Sequence, residues 1–175
     1  MEFKIRKANR KDLTGIMEVM EEAAGNLQHP DWFVADEETA VKEHLEKDGF
    51  GMAAEASDGR IVGFFLVKYP KPEENLGVYL DYPPEKLGKV ALMDSCAVRQ
   101  AYRGYGLQGR LLQGAEEYLD TEKYTYLMCT VHPDNRFSLS NMQKNGYMIQ
   151  ATVQCYGGLL RHILVKDFRN QKKGR

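Results

Sequence analysis

Apolar and charged residues alternate along Phe3-Lys4-Ile5-Arg6-Lys7-Ala8, the pattern of a strand with one wet face. From Leu13 the period lengthens. Leu13, Ile16, Met17 and Met20 fall on one side of a helix, with Glu18, Glu21 and Glu22 mostly on its wet side and a capping region at Asn9 to Asp12 before it. After a loop with Gly25 and His29-Pro30, a second helix is predicted over Asp36 to Lys47, with Ala40, Val41, His44 and Leu45 as its apolar stripe. At Phe50 the period changes again. Residues 51–56 and 60–68 read as strands joined by a hairpin turn at Ser57-Asp58-Gly59. Residues 70–88 carry Pro70, Pro72, Pro83 and Pro84, with Tyr79, Asp81 and Tyr82 between them, which predicts a surface excursion rather than a core element. A strand at 89–98, a helix ending near Asp120, a strand at 123–131 and a short helix at 135–144 closed by Asn145-Gly146 follow. Two last strands, 147–154 and 159–166, flank Gly157-Gly158. The order β-α-α-β-β-β-α-β-α-β-β predicts one mixed α/β domain spanning residues 1–175, antiparallel in its first half, with a central β-α-β crossover.

Composition narrows the class. An apolar fraction of 43% and a charged fraction of 28% are those of an ordinary globular chain. Lys+Arg 24 against Asp+Glu 25 gives no electrostatic case for nucleic acid, and the basic run Lys166 to Arg175 reads as a solvated end. The start, M-E-F-K-I-R-K, lacks the apolar core of a signal peptide, and no run reaches membrane-spanning length. Cys96, Cys129 and Cys155 sit in apolar strand-like segments without metal-ligand spacing, so buried reduced thiols and a cytoplasmic setting are expected. His29, His44, His132 and His162 form no metal-ligand spacing either, and no metal is expected.

The chemistry concentrates at R-G-Y-G-L-Q-G, residues 103–109, where a predicted strand hands over to a predicted helix. A helix start leaves backbone N–H groups free and presents the positive end of the dipole, so a glycine-rich start can hold a phosphate. Arg103 adds charge, and Gly104 and Gly106 let the backbone approach a ligand closely. Gly104, Gly106 and Gly109 also match the dinucleotide expression G-x-G-x-x-G, but the motif sits late in the chain and the next strand ends in T-V-H-P-D-N with no acid in register. No G-K-[S/T] is present for a phosphate loop of the nucleotidase kind.

The element order, R-x-x-G-x-x-G after one strand and N-x-x-S-x-x-N-x-x-x-x-G-Y after a later one resemble the GNAT superfamily of acyl-CoA N-acyltransferases. The likeness spans residues 3–166, and it implies that family's fold, a mixed and mostly antiparallel sheet of six or seven strands flanked by helices. The family's cofactor signature is Gln or Arg, two residues, Gly, one residue, then Gly or Ala. Arg103, Gly104, Tyr105, Gly106, Leu107 and Gln108 occupy the six places, so the last holds Gln and Gly109 comes one residue later. By resemblance, acetyl-CoA lies where the strand ending at Val98 and the strand ending at Val131 splay apart. The N–H groups of Arg103 to Gly109 hold its pyrophosphate, and the backbone of Ala97, Val98 and Arg99 pairs with its pantetheine arm. An N–H near Ala97 or Val98 stabilises the oxyanion, and Asn135 and Ser138 hydrogen-bond the pantetheine or diphosphate. The residues allow plainer readings too: Arg103 as a surface ion-pair partner, and Asn135 as a helix cap.

The implied reaction is aminolysis of the thioester by a primary amine, on a small molecule or a protein, in a ternary complex. A base must first take a proton from the ammonium, whose pKa is ~10. Asp94 is the candidate, because a carboxylate inside an apolar strand is unusual unless it faces a cleft or is paired. Asp81 and Glu22 are weaker candidates. The family's usual acid, a tyrosine seven residues after the Asn of the second motif, falls here on Met142. That substitution motivates the alternative of a weak or inactive acyl-CoA-binding module. Tyr147 reads as core, Trp32-Phe33-Val34 as a pocket cap or loop anchor, and Asp36, Glu37 and Glu38 as an acidic first helical turn. Homodimerisation through the last strands is a further expectation.

Overall fold

The computed structural model describes residues 1–26 and 28–170. The chain forms two compact units, Met1–Lys68 with Asp94–Tyr118 and Tyr69–Met93 with Leu119–Arg175. Its strands follow the order β1-β2-β3-β4-β5-β7-β6, numbered along the chain.

The first unit opens on strand β1 (Phe3–Lys7). Asn9 then caps a helical turn at Arg10–Asp12: its Oδ1 accepts from Lys11 N, and Asp12 Oδ2 accepts from Asn9 N at 2.8 Å. The same Asp12 takes both terminal nitrogens of Arg6 at 2.8 Å, while Arg6 Nε donates to Glu55 at 2.7 Å. The Arg6 hydrogen bonds hold the Asp12 carboxyl below its ordinary range, against the opposing effect of burial. Helix α1 (Leu13–Gly25) buries Ile16, Val19 and Met20. Helix α2 (Glu38–Glu46) buries Val41 and His44.

Strands β2 (Gly49–Ala56) and β3 (Ile61–Lys68) form an antiparallel hairpin, and β1 pairs antiparallel with β2. Gly49 is required by close approach, since a Cβ there would stand 2.0 Å from Val67 O. The core beneath joins Ala8, Ile16, Val19, Met20, Val41, Ala53, Phe64, Leu66 and Ala97, with Phe33 packed against it.

In the second unit the proline-rich segment folds as a turn at Pro72–Glu74, a turn at Leu76–Leu80 and helix α3 (Pro84–Leu87). Most of it is the surface excursion predicted from the sequence, but Asn75, Leu76 and Gly77 are buried. Leu76 is 3% exposed and joins Val90, Leu92, Tyr126, Met128, Ile163 and Val165 in one core, with Leu80 and Tyr82 packed against it. Prolines suit this segment because short turns ask for few ladder hydrogen bonds. Asn75 holds it, accepting from Gly77 N and donating to Leu87 O.

Strand β4 (Val90–Val98) runs from the second unit into the first and leads toward helix α4 (Leu107–Tyr118). Strand β5 (Tyr126–Val131) returns parallel to β4, pairing Val90, Ala91 and Leu92 with Tyr126, Leu127 and Met128. This is the predicted β-α-β crossover. Helix α5 (Arg136–Lys144) follows, then strands β6 (Met148–Cys155) and β7 (Leu159–Asp167), which pair antiparallel, with β7 also antiparallel to β5.

The basic run begins inside β7 rather than in a solvated end. Lys166 is 8% exposed, its ammonium 5.2 Å from the Phe168 ring centre. Residues 171–175 of that run lie outside the described residues. No described helix is long and apolar enough to cross a membrane.

Candidate functional site

Helix α4 begins where the glycines let the chain turn. Gly104 and Gly106 have φ of +87° and +69°, a conformation that side-chain-bearing residues rarely adopt. Arg110 N donates to Gly106 O at 3.1 Å, the first intrahelical bond, which makes Gly106 the N-cap. The N–H groups of Leu107, Gln108 and Gly109 therefore have no intrahelical partner. A Cβ built on Gly104, Gly106 or Gly109 would meet nothing within 4 Å, so open space lies over these positions. The positive end of the helix dipole faces the same region. A diphosphate fits such a start in charge and in room.

The loop is held from both sides. Tyr102 and Tyr105 pack edge-on against Phe3, at 5.9 and 5.3 Å between ring centres, and Arg110 donates to Phe3 O. At its entrance Arg99 donates from Nη1 to Glu22 at 3.0 Å, from Nη2 to Glu18 at 2.7 Å and from Nε to Ile61 O at 3.1 Å. The second Glu22 oxygen accepts from Gln100 N at 2.9 Å. Glu18 and Glu22 are thus tethers of the loop and not merely a wet helix face. Glu22, fully engaged in this way, is also a poor candidate base.

Arg103 is exposed and forms no ion pair among the described residues, against the plain surface-bridge reading. It lines a concavity of about 370 Å³ with Asn26, Gln28, His29, Trp32 and Gln100, where the His29 and Trp32 rings stack at 4.3 Å. Gln108, in the family's Gly/Ala place, hydrogen-bonds the Cys96 thiol. Burial pushes that thiol up to about 12, and Cys129 likewise. All three cysteines are free.

Along the C-terminal half of β4, Ala97 and Val98 are buried and Arg99 N donates to Val62 O at 2.9 Å. Asp94 is exposed as a residue although its side chain is only 25% exposed, so its backbone carries much of that exposure. Ser95 Oγ, next in the strand, is buried without a hydrogen-bond partner.

The Asp94 carboxylate lies 3.5 Å from Nε2 of His44, whose Nδ1 is 2.9 Å from Asp48. Asp36 completes the group. It lies outside α2 instead of in its first turn, and its carboxyl is raised by burial and by the charge of Asp94. Its place inside an apolar strand flagged Asp94, and helical periodicity placed His44 on an apolar face, but sequence alone did not join them. Their separation of fifty residues carries no periodic signal.

In the second unit, Asn135 caps α5, its Oδ1 accepting from Ser138 N at 3.2 Å. This is the plain reading offered from sequence. Met142 is 7% exposed and Tyr147 1%, both core, with Tyr147 N donating to Met142 O. Asp81 sits in a left-handed cap at the end of Leu76–Leu80, a backbone role. Among the described residues no group of three His, Cys, Asp or Glu side chains could hold a metal ion.

The family model of the "Acetyltransferase (GNAT) family" matches residues 17–147. The fold is similar to that of an N-acetyltransferase from Staphylococcus aureus Mu50 (TM-score 0.72, 18% identity, covering 96% of this chain and 99% of that one). It is also similar to the PaiA N-acetyltransferase of Thermoplasma acidophilum, solved with coenzyme A (0.69, 19%, covering 95% and 99%). A third is the ribosomal-protein-S18-alanine N-acetyltransferase of Escherichia coli (0.70, 12%, covering 95% and 94%). No curated protein matches the chain.

Proposed function

Because the chain belongs to the acetyltransferase (GNAT) family, we propose that it moves the acetyl group of acetyl-CoA onto a primary amine by direct attack in a ternary complex. The observation that carries this is the start of α4, where three N–H groups without intrahelical partners face open space behind two left-handed glycines. The N–H groups from Gly104 to Gly109 bind the pyrophosphate there; Arg103 N already donates to Gln100 O at 3.2 Å, so Arg103 joins them through its guanidinium. The backbone of Ala97 and Val98, with the Arg99 carbonyl, takes the amide groups of pantetheine, since Arg99 N already donates to Val62 O, and an N–H near Ala97 or Val98 meets the developing oxyanion. For Asn135 and Ser138 we keep a hydrogen bond to the pantetheine or diphosphate beside the cap.

Asp94 is the proposed base. It takes a proton from the acceptor ammonium, and the freed nitrogen lone pair attacks the thioester carbonyl. The C–N bond forms, the C–S bond breaks, and the second amine proton goes to the CoA thiolate. A thiolate of ordinary pKa ~8.5 leaves tolerably without a dedicated acid, which suits the Met142 substitution. Met142 also favours a second reading, a module that binds acyl-CoA without turning it over.

Free thiol release from acetyl-CoA in the presence of an amine panel separates the two. Release that needs an amine, and that Asp94→Asn lowers by about 10²–10⁴-fold, supports transfer with Asp94 as base. Tight CoA binding with no release for any amine supports the second reading. The three free thiols suit a reducing compartment, and we propose the cytoplasm. A homodimer through the β6 edge is proposed from the exposed Met148 and Ile149, and sedimentation of Met148→Lys against the parent tests it.

A further inference from the structure

His44 is 4% exposed, yet it has a carboxylate at each ring nitrogen: Asp48 Oδ1 2.9 Å from Nδ1 and Asp94 Oδ2 3.5 Å from Nε2. A neutral imidazole has one N–H and one lone pair, so it can donate to only one of them, whereas an imidazolium donates to both. The pair also forms a line. A proton arriving at Nε2 can be matched by one leaving from Nδ1, toward a carboxylate whose side chain is 23% exposed.

The chemistry needs such a line. Moving a proton from an alkylammonium to an ordinary carboxylate is uphill by about six pH units, while a general base works best near the operating pH. Burial alone would lower the affinity of His44 for a proton. The hydrogen bonds and charges of Asp94 and Asp48 outweigh burial and raise it above the ordinary imidazole value. Asp36 is the third carboxylate of the group, with Lys68 and His44 opposing the rise in its own pKa.

We propose that His44 acts through Asp94 as a positioning residue and proton store. With the ring neutral, its Nδ1–H is toward Asp48 and its Nε2 lone pair toward Asp94. Asp94 meets the acceptor ammonium and passes its proton to Nε2, and the Nδ1 proton leaves by way of Asp48, which restores the neutral ring. This rests on the reading of Asp94 as the base. The proton balance closes. The first amine proton goes through His44 to solvent, and the second goes to the CoA thiolate.

The test is the pH dependence of kcat/KM for the amine in the parent protein and in Asp94→Asn, His44→Gln and Asp48→Asn, with an NMR titration of the His44 ring in the parent. The parent rate is expected to rise with pH through an apparent pKa above 6.5 that matches the ring titration. His44→Gln should lower kcat about 10- to 100-fold near neutrality and remove that limb. Asp48→Asn should move the limb to lower pH.

If Asp94→Asn loses activity while His44→Gln leaves limb and kcat in place, the His44 route is overturned and the base reading stands. If Asp94→Asn changes nothing, both fall. A His44 ring that titrates below 6.5 in the parent overturns the proton store even where His44→Gln does not fold.

Discussion

At Gly106 two requirements meet in one residue. The φ of +69° disfavours any side chain, and the space a Cβ would enter is the space over the free amides of α4. Gly106→Val is therefore expected to cost about 1–2 kcal/mol of stability through strain and to weaken acetyl-CoA binding about 10- to 100-fold. That loss corresponds to one charge-assisted hydrogen bond of about 1.5–3 kcal/mol. Calorimetric titration with CoA, beside a denaturant melt, reads the two effects separately. An affinity within twofold of the parent would mean that the pyrophosphate binds elsewhere.

These glycines were legible in the sequence because an apolar run before them and a helical period after them mark a strand-to-helix turn. The Gln108 departure was legible too, but not its consequence, a side chain turned to the Cys96 thiol. His44 shows the limit. Its place on an apolar stripe was clear, whereas the carboxylates at its two nitrogens come from separate stretches of chain.

At the scale of elements, α1 does more than cover the sheet. Through Glu22 it fixes the exit of β4, bonding the Arg99 guanidinium and the Gln100 amide with one carboxylate. Glu22→Gln is expected to raise KM for acetyl-CoA about three- to tenfold, a loss of roughly 1 kcal/mol, with little change in KM for the amine. Steady-state kinetics with each substrate varied in turn checks this, and an equal change in both KM values would contradict it.

The N-terminal end of α1 carries a stability prediction. Asp12 serves both the cap and the Arg6 ion pair, and its side chain is 8% exposed. Its folded pKa lies below the unfolded value, so its contribution is present above about pH 4 and is lost as the pH falls through the depressed folded value. Asp12→Asn should cost about 1–3 kcal/mol near neutrality, and the difference from the parent should shrink in acid. His44 has the opposite sign: with its folded pKa raised, its contribution is full below about 6.5 and is lost as the pH rises through the folded value.

Elements with a clear period were placed within a few residues. In the segment 70–88 the exposed course was legible but the buried stretch Asn75 to Gly77 was not, because prolines predict the absence of ladder hydrogen bonds, and that says nothing about burial. Short turns there bury Leu76 all the same.

At the scale of the whole chain, β4 is the strand that both compact units share, passing from one to the other between Met93 and Asp94. Asp94 therefore stands at the head of the segment that ends in the glycine loop. The order of elements and two short motifs pointed to the family that the model match over residues 17–147 then showed. They pointed less well to mechanism, since the family's usual tyrosine is here a core methionine.

We retain the proposal that residues 1–175 form a single domain. One cooperative unfolding transition, coincident by circular dichroism and by Trp32 fluorescence, is expected, and two separate transitions would contradict it.

The acetyl transfer itself is tested most directly with acetyl-CoA carrying an isotopic label in the acetyl group. The protein is incubated with this donor and a panel of alkylamines, polyamines and peptides, and the acceptors are analysed by mass spectrometry. Label on an amine nitrogen, appearing in step with free CoA thiol and lost in Asp94→Asn, is the expected result. Label that stays on CoA with every amine, although CoA binds tightly, would contradict it.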